Sequence, residues 1–129
     1  MLTVVAGVIR NEDGRILICQ RRRDDTHALK WEFPGGKVED GEEPSRALIR
    51  ELREELAIEA TVGEELSRFR HRYGSRPPFL LIFFEVLSFT GAPANNVFEQ
   101  IVWEEPRRLP DYDFLDADVQ FVKRLGERG

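Results

Sequence analysis

The chain has 129 residues, with Lys+Arg 19 against Asp+Glu 24, a formal net charge of −5 and a hydrophobic share of 41%. That is the length of one ordinary domain with a sizeable core of its own, so a single domain over 1–129 is expected. No apolar run approaches the ~20 residues of a membrane span, the acid excess argues against direct nucleic-acid or anionic-membrane binding, and a lone cysteine, Cys19, excludes an internal disulfide framework and a Cys-rich zinc site.

The opening MLTVVAGVIR has no charged segment ahead of its apolar stretch and no convincing cleavage site, so it does not read as a signal peptide and a cytoplasmic location is expected. Two β segments come first, LTVVAGVIR (2–10) and ILICQ (16–20), and Asp13-Gly14 between them is a turn signal that predicts a hairpin. Cys19 reads as a small apolar residue on a buried strand. Residues 21–30 are polar, and WEFPGGKVEDGEEP holds the densest Gly/Pro/acid cluster in the chain, which predicts a loop of special backbone geometry. From Pro44, acceptable in a first helical turn, SRALIRELREELAI holds only helix-compatible residues to about Ala57. Residues 60–73 read as part strand, FLLIFFEVLSF (79–89) as a central strand, GAPANN (91–96) as a loop and VFEQIVW (97–103) as a further strand. EEPRRLPDYD is a second loop, and Val119, Val122 and Leu125 sit at helical spacing in a terminal helix over about 116–125. This order of strands, loop, helix, strands and helix gives an α+β class with helices packed on a mixed sheet.

At roughly 100° per residue, Leu48, Ile49, Leu52 and Leu56 share one arc of the helix and Glu51, Glu54 and Glu55 a neighbouring one. The first arc packs on the sheet. The second gathers three like charges, each pair repelling by a few tenths of a kcal/mol, with no Lys or Arg on the same arc, so a cation is expected there. Oxygen donors with little His or Cys in reach suit Mg²⁺ or Mn²⁺ rather than zinc, and Mg²⁺ commonly shares its shell with substrate phosphates.

In the string GKVEDGEEPSRALIRELREELAI, the residues Gly36, Glu42, Arg50, Glu51, Leu52, Glu54, Glu55 and Ile58 match the Nudix box, G-x5-E-x7-R-E-U-x-E-E-x-G-U with U aliphatic. Six fixed letters at roughly 5–10% background each make a specific signal. One departs: Ala57 stands at the second motif glycine, where positive φ would close the helix. The resemblance runs over most of the chain, since WEFPGGKVEDGE, the FEQIVW segment and the DAD ahead of the last helix are similar to the MutT branch of Nudix hydrolases. That resemblance implies an α/β/α sandwich whose box forms a loop, helix and loop. It also implies an Mg²⁺-dependent enzyme (Mn²⁺ a substitute) that splits nucleoside triphosphates into monophosphate and pyrophosphate, as a monomer or a homodimer.

Carried over residue by residue, the resemblance implies Glu54 and Glu55 as metal ligands, with Glu51 a ligand or the water-orienting base and the Gly35 carbonyl a further oxygen. Arg50 would hold Glu51 by a charge-assisted bond, and Glu42 would brace the loop. Glu99 is the distal carboxylate, ligand or general base. Arg21 matches a phosphate-contacting arginine. Glu32, Phe33 and Asp118 form the base pocket, where an acid at Asp118 favours a base presenting donors, unless Asp118 caps the last helix instead. Tyr73 and Phe79 are stacking candidates, with core packing the stronger reading for Phe79. His27 and His71 show no ligand spacing. The expected reaction is in-line attack of water on phosphorus, with Glu51 or Glu99 taking the proton. An 8-oxo-dGTP sanitising role leads, a CTP or methylated-dCTP pyrophosphohydrolase follows, and a non-hydrolysing binding module is disfavoured because all three box carboxylates are present.

Overall fold

A computed structural model describes residues 1–128, in the order β1 (Leu2–Val8), β2 (Ile16–Gln20), β3 (Trp31–Glu32), β4 (Gly35–Lys37), α1 (Pro44–Leu56), β5 (Glu59–His71), β6 (Phe79–Thr90), β7 (Gln100–Glu104), a 3-10 helix over Pro106–Asp111, and α2 (Asp116–Arg128). Contacts divide the chain into two compact units. The first takes Met1–Ile9 and Pro34–Asn96, the second Arg10–Phe33 and the segment from Val97 onward.

The first unit holds a mixed sheet in the order β4-β1-β6-β5. β1 runs parallel to β6, from Leu2 opposite Phe79 to Val8 opposite Glu85, and antiparallel to β4. β6 therefore lies between two strands, as its apolar run predicts. β5 spans Glu59–His71 rather than part of that segment, and its pairing with β6 shifts register three times between Thr61 and Ser67. The second unit holds an antiparallel sheet, β3-β2-β7, with Cys19 buried on β2.

Three expectations need correction. The predicted hairpin keeps its turn but not its ladder. Asn11 closes the reversal by accepting the Asp13 and Arg15 N–H groups, each at 3.0 Å, yet only Arg10 and Ile16 bridge across it. Beyond that bridge β1 is paired by β4 and β6, and β2 by β3 and β7, so neither strand has an edge left for the other. The strand expected at 97–103 begins at Gln100, which leaves Glu99 on the approach to β7. The segment EEPRRLPDYD, read as a loop, contains the 3-10 helix.

α1 packs against β1, β4 and β5 through Ala47, Leu48, Leu52 and Leu56, all fully buried, while Ile49 is half-buried. Burial of each leucine contributes about 2 kcal/mol. Pro44 opens the helix where its missing N–H costs no bond. Ala57 closes it in the left-handed conformation, φ 56° and ψ 36°, with its N–H on the Arg53 carbonyl at 3.1 Å. The cap is thus made where the motif glycine would make it. The loop 91–96 satisfies the last-turn carbonyls: Ala94 N–H donates to Leu56, Asn96 N–H to Glu55, and Asn96 Nδ2 to Glu54. In the second unit, α2 packs on the 3-10 helix and places Phe121 edge-on to Phe33, ring centroids 5.8 Å apart.

Candidate functional site

In the first unit the acids of α1 and of the loop before it gather on Arg50. Its Nε and Nη2 donate to the two Glu42 oxygens at 2.9 and 3.0 Å, Nη1 donates to Glu51 Oε1 at 2.9 Å, and Nη2 also reaches the Lys37 carbonyl at 3.0 Å. Nη1 lies 3.6 Å from Glu54 and 3.7 Å from Glu39. The cation expected beside the three carboxylates is therefore in part this arginine. It is not on the carboxylate arc, but its side chain is long enough to reach over it. Glu42 also accepts the Glu39 N–H at 3.1 Å and so ties the loop to the helix. The Arg50 bond holds the Glu42 carboxyl down to about 2, while burial raises that of Glu51 against the pull of Arg50.

Two glycines make the approach possible. A Cβ at Gly36 would overlap the Glu51 carboxyl group, and one at Gly35 would overlap the Val5 carbonyl in the neighbouring strand. Gly35 N–H donates to Glu55 Oε1 at 3.1 Å, which orients the third carboxylate. Glu54 is mostly exposed, whereas Glu51 is largely covered. Among the described residues no three His, Cys, Asp or Glu side chains stand close enough to hold one metal ion together. The donor chemistry nevertheless fits a hard divalent cation, being all carboxylate oxygen, and Glu54 sits on an exposed face where side-chain rotation alone can bring it toward such an ion.

The second unit holds the remaining candidates. Arg21 is fully engaged: Nε donates to the Thr26 carbonyl at 2.7 Å, Nη2 to Thr26 Oγ1 at 3.1 Å with Asp25 also at 3.1 Å, and Nη1 to both Glu32 oxygens at 3.1 and 3.3 Å. It anchors the 21–30 loop and Glu32, which gives no support to its reading as a phosphate contact. His27 and Leu29 in that loop take positive φ, 53° and 63°. The run of three arginines splits by role, since Arg22 Nε binds the Val97 carbonyl and Arg23 Nη2 binds Glu99 Oε2, both at 3.0 Å. Glu99, fixed by its own N–H on the Gln20 carbonyl at 2.8 Å, has its carboxyl held below the usual range by Arg23.

Phe33 is buried between Phe114 and Phe121. Asp118 is 4% exposed and takes a hydrogen bond from the Phe33 N–H. Its own N–H donates to the Leu115 carbonyl at 2.8 Å. Burial, then the charge of Glu32, pushes Asp118 well above the ordinary carboxylate range, and burial raises Glu32 as well, opposed by Arg21. Tyr73 and Phe79 in the first unit stack on each other at 6.0 Å, and His71 lies edge-on to both. The parts that sequence reasoning misses are Thr26, Asp25 and the Phe33 N–H. Of these only Asp25 has a signal, its i,i+4 spacing from Arg21.

A NUDIX domain model matches residues 1–125. A CTP pyrophosphohydrolase of Escherichia coli (strain K12) is 39% identical over 123 residues, covering 95% of this chain and 90% of the relative. An 8-oxo-dGTP diphosphatase of Haemophilus influenzae is 37% identical over 125 residues, covering 97% of this chain and 91% of the relative. Among solved structures, the solution structure of the E. coli ORF135 protein superposes with a TM-score of 0.85 at 39% identity, over 95% of this chain and 86% of that one.

Proposed function

The chain belongs to the Nudix family of hydrolases, which act on phosphoric anhydride bonds and use divalent metal ions, and from that membership we propose that it hydrolyses nucleoside triphosphates to monophosphate and pyrophosphate with Mg²⁺. The leading substrate is an oxidised purine nucleotide of the 8-oxo-dGTP kind, which makes the role one of nucleotide-pool sanitisation. The observation that carries the reading is the Glu51, Glu54 and Glu55 set on α1, with Glu51 gripped by Arg50 over Gly36 and Glu55 by the Gly35 N–H.

Those three carboxylates, with the Gly35 carbonyl, would hold the metal. When bound, the ion neutralises polyphosphate charge and lowers the proton affinity of a coordinated water. The protein's own part is to fix the carboxylates and accept a proton. Arg50 orients Glu51 and opposes the rise that burial gives its carboxyl, and Glu51 or Glu99 takes the proton of the attacking water. No covalent intermediate is needed. The whole span 1–129 is proposed as one Nudix domain. Among the described residues no helix is long and apolar enough to cross a membrane.

A second reading, a CTP or methylated-dCTP pyrophosphohydrolase, is favoured by the 39% identity to a CTP pyrophosphohydrolase. Hydrolysis of a panel of canonical, oxidised and methylated nucleoside triphosphates, scored for pyrophosphate with Mg²⁺ and with chelator, tests both. A preference of tenfold or more in kcat/KM for 8-oxo-dGTP over dGTP, about 1.4 kcal/mol, supports sanitisation. Preference for CTP moves the assignment to pyrimidines, and equal low rates on all of them remove the sanitising role.

A further inference from the structure

Residues 66–84 hold four arginines, Arg68, Arg70, Arg72 and Arg76, and no acid, in a chain whose net charge is −5. The stretch runs from the second half of β5 through the turn and along β6, inside the first unit. All four arginines are exposed. Arg68 lies opposite Ile82 and Arg70 opposite Leu80, so the strand period of two sets both on one face, and Arg72 follows at the same interval just past the strand end. Phe69 and His71 alternate with them and are half-buried. Phe69 meets Phe83 edge-on at 6.0 Å, and His71 lies edge-on to Tyr73 and Phe79 at 4.6 and 5.9 Å. Packed rings thus fix the backbone of the row while its guanidinium groups face solvent.

Arg68 is forked onto Glu65 at 2.6 and 2.8 Å. Among the described residues Arg70, Arg72 and Arg76 pair with no acid. Charge on an edge strand such as β5 deters pairing with another chain. Either sign serves that purpose, and the first half of β5 uses Glu59, Glu64 and Glu65, so it leaves the absence of acid from 66–84 unexplained.

We propose that this row is a docking surface for the phosphate backbone of single-stranded nucleic acid, separate from the acids of α1. A strand rises about 3.4 Å per residue, so side chains two apart on one face are spaced by about 7 Å, close to the separation of successive phosphates along an extended single strand. The cations of the stretch are all arginine, whose planar fork takes two phosphate oxygens at once. Arg70, Arg72 and Arg76 are the three whose donors are open to phosphates. A flexible strand follows the row and leaves it at either end, whereas a stiff duplex laid along β5 meets Glu59, Glu64 and Glu65 in its first half. Anionic membranes are held by broader clusters of basic residues, and this one is a single file. The acid elsewhere does not prevent docking, because salt screens exposed charges beyond about 8 Å. The net charge, which argues against nucleic acid for the chain as a whole, therefore does not decide what this one strip binds.

The test is fluorescence anisotropy of a labelled oligothymidylate of about 12 nucleotides, titrated with the full chain in chelator so that no metal ion joins the strand to the α1 acids. Wild type should bind with a Kd of roughly 10⁻⁶–10⁻⁴ M. Three phosphate contacts should give a slope of about −2 in log affinity against log salt, a loss of about 20-fold from about 50 to about 200 mM. Arg70→Gln, Arg72→Gln and Arg76→Gln combined should weaken binding about tenfold or more and flatten the slope, and Arg72→Gln alone should reduce it by about 0.7. Arg72→Lys keeps the charge and should keep the slope. Arg46→Gln removes an exposed cation of α1 outside the row and should change affinity by less than about twofold. Every substituted position is exposed, so melting temperatures should match wild type. The proposal is overturned if wild type does not bind at low salt, or if Arg46→Gln weakens binding as much as Arg72→Gln, which would mark diffuse attraction. It is equally overturned if a duplex of the same length binds as tightly, or if vesicles of phosphatidylcholine and phosphatidylserine are bound and the single strand is not. Each of these outcomes leaves the hydrolase reading standing, since that reading is scored by pyrophosphate release with Mg²⁺.

Discussion

The acids of α1 and the pair Glu32 and Asp118 are the same chemistry in opposite settings. In the first unit one arginine faces several carboxylates at a half-open surface, and Arg50 bonds directly to Glu42 and Glu51. In the second, Arg21 is shared by Glu32 and Asp25, and the buried Asp118 is left with a backbone N–H. Glu42 is driven down and Asp118 up. Residue type thus says little about charge. What decides it is where the guanidinium fork goes and how much water remains.

The largest effect is expected where charge is needed. Glu55→Gln keeps the Gly35 N–H acceptor but removes the anion, so kcat/KM for Mg²⁺-dependent pyrophosphate release should fall roughly 10²- to 10³-fold, with little change in melting temperature. Unchanged turnover would show that the α1 acids are a solvated helix face, and the contrast between the two regions would lose its functional meaning. Gly36→Ala attacks the same carboxylates without removing one. The three atoms nearest the added methyl all belong to the Glu51 carboxyl, the far end of a flexible side chain, so Glu51 is the group expected to move. Turnover should drop about tenfold to a hundredfold while denaturant unfolding shifts little. A large loss of stability with normal kcat in the surviving folded fraction would contradict it.

Arg50→Met should lower stability, because it leaves Glu42, Glu51 and Glu54 near one another without the cation that joins them. It also carries a pH signature. Glu42 is lowered in the fold to about 2 from an ordinary value of 4.5. Its contribution is therefore complete above about 4.5 and is lost as pH falls from there toward about 2. Wild type should lose stability through that window, and Arg50→Met should show a flatter curve. Equal slopes in the two proteins would mean that Arg50 does not set the charge of Glu42.

Legibility in the sequence followed locality. The span of α1, its apolar face and its acids are visible because a 3.6-residue period is local. The two-sheet arrangement is not, because LTVVAGVIR and ILICQ carry nearly the same pattern, and their partners are chosen by strands far along the chain. The turn at Asp13-Gly14 is real and still misleads, since both edges of each flanking strand are already paired. Within the site, an arc drawn from Cβ directions misses Arg50, whose length carries it across to Glu51 and Glu54. Three consecutive arginines gave no way to tell Glu32, Val97 and Glu99 apart as their partners. The upward shift of Asp118 depends on burial and a neighbouring charge, neither of which a motif encodes.

The smallest expected effect concerns the one motif letter that departs. Ala57 adopts φ 56°, in the left-handed region, and donates its N–H to Arg53 as a glycine would. An L-residue there costs roughly 1–2 kcal/mol, and glycine recovers that less the roughly 0.5–1 kcal/mol it loses in unfolded-chain entropy. Ala57→Gly should therefore stabilise the protein by about 0.5 kcal/mol, with turnover unchanged, because the last-turn carbonyls are held by Ala94 and Asn96 in either case. The strain then lies at the end of α1 and not among its carboxylates. A gain in kcat from the same substitution would show instead that the cap limits how Glu54 and Glu55 present themselves.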